Sequence, residues 1–367
     1  MRVLITKFRH IGDVILTTPL FRNLKLNFPE WELDFGINRG CEELLLYNRD
    51  ISNLILYDRP TVKALPFPAR LKREWNFFRQ FYHRYDIVIN LTEGERGAII
   101  AYLSGAKIKI GYPPKKGIFK SVYTHPLPPQ GIRHTIDANL DPIKLLGGKI
   151  FEKRVYLHPD PIAIKKIARL SLPEKFVHCH PVSRWLFKTP PPDRTAKIID
   201  FIQQKLGLPV VITAGPAPKE LEMVHQILTR CTIPPISFAG QLTLSEVTFL
   251  NRQATLFIGV DTAIMHLSAA NNTPVFALFG PSGAFHWGPW DNRLMESGYI
   301  SRRGEQRMGI HSVYQRDWEC IPCGKDGCNG SKISRCLVEL ELDKIFRRLE
   351  EMVSNQSEEG FQSIGKK

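Results

Sequence analysis

Two short stretches hold the residues whose types and spacing suit chemistry. In the first, "KFRHIGDVILTTPL" (7–20), His10, Gly12 and Asp13 follow an apolar run, Val3-Leu4-Ile5, and precede alternating apolar and polar positions. A carboxylate that opens a helix after a buried strand lies at the sheet edge where ligands bind, and there it can accept a proton. Asp13 equally suits an ordinary helix start, which the macrodipole stabilises, and Gly12 equally suits a tight turn. In the second stretch, "FIGVDTAIMHLSAANNTPVFALFGPS" (257–282), a strand closes at Gly259 and Val260-Asp261-Thr262-Ala263 opens a helix. The N–H groups exposed at such a helix start form a diphosphate site. The Asp261 carboxylate would repel a phosphate unless it turned away to cap the helix or orient a hydroxyl. The phosphate contact therefore falls to the backbone of Thr262 and Ala263 and to the Thr262 hydroxyl. His266, about a turn and a half beyond Asp261, points into the same site or packs in the core.

The elements around these stretches alternate. Strands are expected at 2–6, 33–37, 53–57, 86–91 and 107–111, with helices at 13–27, 40–48, 69–83 and 95–103. A second series has strands at 176–180, 209–214, 235–238, 256–258 and 274–278, with an amphipathic helix over 193–207 that ends at Gly207. Such alternation implies α/β architecture: two doubly wound Rossmann-like domains with parallel sheets, a ligand in the cleft between their facing carboxyl edges. The expected boundaries are 1–170 for the first domain and 171–337 for the second, then a helix at 338–353 and a flexible polar tail at 354–367. At 367 residues and 43% apolar content the chain can build both cores. No G-x-G-x-x-G follows the first strand, which counts against a dehydrogenase. The net charge of +14 favours an acidic partner. Its Lys and Arg are scattered, without aromatic-interleaved RNA motifs or zinc-finger spacing, so nucleic acid is not the expected partner. No run of about 20 apolar residues could span a bilayer, and the N-terminus lacks the layout of a signal peptide, so a cytoplasmic location is expected.

"HIGDVILTTPL" and "GVDTAIMHLSAANNTPVFALFGPS" together resemble the bacterial lipopolysaccharide heptosyltransferase family, over roughly residues 1–350. "HPVSRWLFK" (180–188), "AGPAPKELEMV" (214–224) and "CIPCGKDGCNGSKISRCL" (320–337) are most similar to its heptosyltransferase III subgroup, which adds a side-branch heptose to the inner core. The resemblance implies a GT-B glycosyltransferase that uses ADP-heptose and inverts its anomeric centre, needs no metal or other cofactor, and carries its C-terminal helix back onto the first domain. It implies Asp13 as the catalytic base and Lys188 facing the diphosphate. Ser183 and Arg184 stand where other members carry paired threonines, and Glu220 falls near the ribose. An arginine at 184 can grip a diphosphate bidentately or bind an acceptor phosphate. "KTPPP" after Lys188 departs from the aromatic residue usual there. A different nucleotide-sugar enzyme of the same architecture, another glycosyltransferase or an epimerase, is the competing reading.

The acceptor has no comparable signature. Gly12 and the basic stretch with Lys115, Lys116 and Lys120 are the candidates for meeting core phosphates, and a solvated loop explains those lysines as well. A lipid-anchored acceptor implies work at an anionic inner-membrane surface, by a monomer held there through Lys and Arg. The four cysteines Cys320, Cys323, Cys328 and Cys336, spaced C-x2-C-x4-C-x7-C, could bind a structural zinc, form a disulfide or remain free thiols.

Overall fold

The computed structural model describes the backbone of residues 1–364 and the side chains of residues 1–355. The chain divides into two compact units, Met1–Asp160 and Pro161–Lys367.

In the first unit six strands form one parallel sheet: β1 (Arg2–Lys7), β2 (Glu32–Asn38), β3 (Asn53–Tyr57), β4 (Ile87–Asn90), β5 (Ile108–Gly111) and β6 (His125–Pro126), in the order β3-β2-β1-β4-β5-β6. The central strands are buried on both faces, so β1 reads as an apolar run rather than an alternation. Chain order reverses between β1 and β4, which makes their carboxyl ends the switch point where ligands bind in open α/β sheets.

The expected helix over 13–27 is two helices, Ile11–Ile15 and Thr18–Asn27. Pro19 has no N–H to donate to the Ile15 carbonyl, and the Thr18 hydroxyl bonds that carbonyl instead at 2.8 Å. The expected helix at 40–48 is a series of turns. Gly40 is left-handed at φ 90°, and Leu45 and Asn48 bond back three residues rather than four.

The second unit holds seven strands: β7 (Val177–His180), β8 (Val210–Ile212), β9 (Ile236–Ser237), β10 (Leu256–Val260), β11 (Val275–Phe279), β12 (Gln306–Met308) and β13 (His311–Gln315). Their order is β12-β13-β11-β10-β7-β8-β9, parallel except for β12 on β13. Its switch point lies between β7 and β10.

Two boundaries differ from the sequence reading. Helix Pro161–Ile167 joins the second unit, because Ala163 and Ile167 are buried with Phe176, Val211 and Leu250. The C-terminal helix, Leu342–Ile364, begins at 342 and continues through 354–364, which the sequence reading takes for a tail; residues 365–367 lie outside the described residues. Its stripe of Ile345, Leu349 and Met352 is buried with Ile198, Ile199 and Ile202 of helix Pro192–Gln204, and Phe346 stacks on Phe201 at 4.1 Å. These contacts tie it to the second unit. Apolar residues at three- and four-residue spacing need a matching face, and the helix over 192–204 presents one.

Candidate active site

At the switch point of the second sheet, the loop after β7 meets the loop after β10. Lys188, in a single helical turn over Leu186–Lys188, donates from Nζ to Asp261 Oδ2 at 2.5 Å. The lysine side chain is 23% exposed and the carboxylate 8%. The repulsion expected of Asp261 is thus met by a cation that neutralises it. Thr262 caps helix Ala263–Ala270 in extended conformation without a side-chain cap bond, and its hydroxyl is buried with no partner. A buried hydroxyl without a partner is costly, and a ligand oxygen at the helix start would satisfy it.

The remaining sequence candidates of this unit surround the pair. Ser183 is buried; its N–H donates to Thr189 Oγ1 and its hydroxyl accepts from the Trp185 N–H, both at 3.2 Å, so it holds the lysine loop in shape. Arg184 is exposed beside the Trp185 ring. Ala263 is half-buried and His266 buried. Glu220, one strand over after β8, is buried and accepts the Gly215 N–H at 3.0 Å, closing its own loop with one carboxylate oxygen.

Several residues that the sequence reading passed over support this edge. His178 Nε2 and His180 Nδ1 share the Thr213 hydroxyl at 2.7 and 2.9 Å, and His178 Nδ1 pairs with Asn251. Burial pushes both histidines down, to about 4 and about 3, so they are neutral struts at neutral pH. Gly259 lets β10 approach β7 there: a Cβ would lie 2.6 Å from the His180 carbonyl oxygen. Ser334 bonds the Phe187 carbonyl at 2.6 Å, fastening the 320–337 loop to the lysine turn. In that loop Cys320 and Cys323 are exposed, Cys328 half-buried and Cys336 buried, all free. Burial first, then Cys328, Cys323 and Cys320, pushes the Cys336 thiol up to about 12. Among the described residues, no group of three or more His, Cys, Asp or Glu side chains is placed to hold a metal ion.

In the first unit, Asp13 is half-buried in the helix that follows β1, and Oδ2 accepts the His10 N–H at 3.4 Å. That long bond is the capping role; it leaves Oδ1 uncommitted. Gly12 lies in the same short helix. Below them Lys7, the last residue of β1, is 7% exposed and donates to the Leu91 carbonyl at 3.0 Å and to Asn139 Oδ1 at 3.3 Å. Burial lowers its ammonium to about 8, against the pull of the Asp13 carboxylate and with the push of Arg9. The sequence held one signal for it: a lysine closing the strand built on the apolar run Val3-Leu4-Ile5. A hollow at this edge is lined by Arg9, His10, Asn38, Arg59 and Thr92, among others. A larger one, about 490 Å³, lies on the amino-terminal side of β3, where Arg22 already pairs with Asp50 and Glu152. Lys115, Lys116 and Lys120 are exposed in the 112–120 loop, and none forms an ion pair with a described residue.

Two doubly wound units, each with its switch point at the carboxyl ends of its strands, have the fold of GT-B glycosyltransferases. The model of the family described as glycosyltransferase family 9 (heptosyltransferase) matches residues 75–311. The chain belongs to that family, and the epimerase reading falls away. It is 31% identical over 300 residues to lipopolysaccharide heptosyltransferase 3 of Escherichia coli, covering 78% of this chain and 86% of the relative. The corresponding protein of strain K12 is 32% identical over 297 residues, covering 78% and 85%. Among solved structures, a glycosyl transferase of family 9 from Veillonella parvula superposes with a TM-score of 0.76 at 23% identity, covering 96% of this chain and 97% of that one. The E. coli ADP-heptose lipopolysaccharide heptosyltransferase II gives 0.69 at 15%, covering 97% and 100%.

Proposed function

We propose that this protein transfers a heptose from ADP-heptose to a heptose of the lipopolysaccharide inner core, as a heptosyltransferase of type III, with inversion at the anomeric carbon. The observation that carries the donor half is the Lys188–Asp261 pair beside the buried, unpartnered Thr262 hydroxyl. The identity to the E. coli heptosyltransferase 3 proteins supports the acceptor half.

In this reading Asp13 takes the proton of the acceptor hydroxyl as its oxygen bonds to the anomeric carbon. The bond from that carbon to the diphosphate breaks on the opposite face, and its electron pair leaves with ADP. Charge grows on the diphosphate as the bond breaks, so donors aimed there act more strongly on the transition state than on the bound donor. Lys188, the Thr262 hydroxyl and the N–H groups of Thr262 and Ala263 supply that charge, and the reaction draws on no resident metal or cofactor. Glu220 meets the ribose, and Ser183, Arg184, Asp261 and His266 shape the nucleotide side. Lys115, Lys116 and Lys120 meet phosphates of the acceptor. The protein works as a monomer on the cytoplasmic face of the inner membrane, where its acceptor is anchored.

The test is incubation of the purified protein with ADP-heptose and lipopolysaccharide cores truncated at successive sugars, with the products read by mass. One added heptose on a core already carrying its main-chain heptoses is the expected result. Addition only to a core lacking those heptoses would overturn the type III assignment, and no addition to any core would overturn the acceptor assignment.

A further inference from the structure

Helix Phe67–Arg79 of the first unit is built inside out. Its inner side packs through Phe77 and Phe78, and Glu74 is turned inward to accept from the Tyr57 hydroxyl at 2.6 Å and from Arg96 at 3.2 Å. Yet Phe67, Leu71 and Trp75 are 68%, 60% and 64% exposed. Four-residue spacing stacks them as one stripe along the helix, and Lys72 and Arg79 border its outer side. Arg70 and Arg73 are exposed as well, and none of these four cations forms an ion pair with a described residue. Between residues 59 and 85 the sole acidic residue is the inward-turned Glu74, against seven lysines and arginines. One helix away lies a second group of exposed apolar side chains and lysines, here beside the exposed Glu95. Helix Glu95–Leu103 packs against this helix, Tyr102 on it meets Phe119 edge-on, and the loop around Phe119 exposes Ile118 (91%) with Lys115, Lys116 and Lys120.

We propose that this face, centred on Phe67, Leu71 and Trp75, docks the protein on an anionic lipid bilayer, the three apolar side chains entering the headgroup boundary and the cations meeting lipid phosphates. An unpaired apolar stripe bordered by cations and free of exposed acid is complementary to such a surface. A tryptophan at the boundary fits, since its ring is apolar and its N–H stays wet. The placement is also useful. The helix follows β3 after one short helix, Arg59–Ala64, that starts at the carboxyl end of β3, the sheet edge that also carries Asp13, so docking through it would bring that edge near the membrane. The inference rests on the membrane-surface part of the proposed function and names the residues that perform it.

The experiment is co-sedimentation of the full chain with phosphatidylethanolamine vesicles, with and without about one-third phosphatidylglycerol, from about 0.05 M to about 0.5 M salt. The wild type is expected to bind only the anionic vesicles and to release at high salt. Leu71→Ser/Trp75→Ser should weaken binding roughly tenfold or more while thermal unfolding stays unchanged, because both side chains are exposed. Lys72→Gln/Arg79→Gln should weaken it by about fivefold per cation and flatten the salt dependence. A blue shift of tryptophan emission on vesicles, lost in Trp75→Phe, reads the same contact without altering binding greatly. Wild-type protein that binds neutral and anionic vesicles equally, or neither, overturns the membrane reading and the proposal together. Wild-type binding that survives both double variants, with an unchanged Trp75 signal, overturns only the assignment of this face.

Discussion

Lys188→Ala separates the pairing that the structure shows for this lysine from the diphosphate role proposed for it. The Asp261 carboxylate is 8% exposed, and its bond to Lys188 Nζ at 2.5 Å is the neutralising contact the structure gives it. Removing one partner of a buried pair costs about 3–5 kcal/mol because the other charge is left uncompensated. Lys188 is itself 23% exposed, so solvent already screens part of the attraction and about 2–3 kcal/mol is the appropriate figure. In a unit of roughly 200 residues, that corresponds to a drop of about 5–10 °C in the unfolding midpoint of the second unit. Adding Asp261→Asn should restore most of the midpoint, since the buried charge is gone. It should not restore ADP affinity or turnover, because the cation proposed to face the diphosphate is still missing. Differential scanning calorimetry gives the first quantity, and ADP titration with a transfer assay gives the others. An unchanged midpoint in Lys188→Ala, or a double variant no more stable than the single, would refute the buried-pair argument. Full ADP affinity in Lys188→Ala would refute the diphosphate role.

Four further outcomes are expected. Asp13→Asn should leave ADP binding within a few-fold and slow transfer roughly 100-fold or more, and near-normal turnover would return Asp13 to its capping bond with His10. The buried histidines His178 and His311 are held down to about 4 and His180 to about 3. Unfolding lets each take a proton from about pH 6.5 downward, so stability is full above that pH and falls by about 1.4 kcal/mol per group per pH unit toward pH 4; urea midpoints that are flat from pH 7 to pH 4 would contradict this. Gly259→Ala forces a methyl to 2.6 Å from the His180 carbonyl oxygen and should destabilise by about 3 kcal/mol, with ADP affinity falling as β7 and β10 part; a calorimetric midpoint equal to wild type would show that the strands yield. A thiol reagent should label the exposed Cys320 and Cys323 within seconds and the buried Cys336 only on unfolding, whereas protection of all four, with one zinc per chain by metal analysis, would establish the zinc reading of the cluster.

Much of this protein was legible in its residue order. Apolar runs bounded by turn residues placed ten of the thirteen strands to within a few residues, because most strands buried on both faces are apolar throughout; β6, β12 and β13 were missed, β13 because its buried run HSVYQ is largely polar. The Gly259-to-Ala263 turn announced a helix start for the same local reason, whereas Asp13 and Lys188 stand out as site candidates through the family resemblance rather than through any local pattern. Two local details escaped, and with them whatever depends on contacts distant in sequence. Pro19 splits a helix only because Thr18 can serve the carbonyl left behind, and 40–48 turns rather than coils because Gly40 fixes its entry. The helix from Leu342 has an apolar stripe that any matching face could have taken; tertiary packing gave it to Ile198, Ile199 and Ile202. Neither the Lys188–Asp261 bond, spanning 73 positions, nor the burial of Lys7 between Leu91 and Asn139 leaves a local pattern. Periodicity records which face of an element avoids water. Which charges end up paired, and at what protonation state, is fixed only when the sheets bring separate strand ends to one switch point and exclude the water that would otherwise screen them.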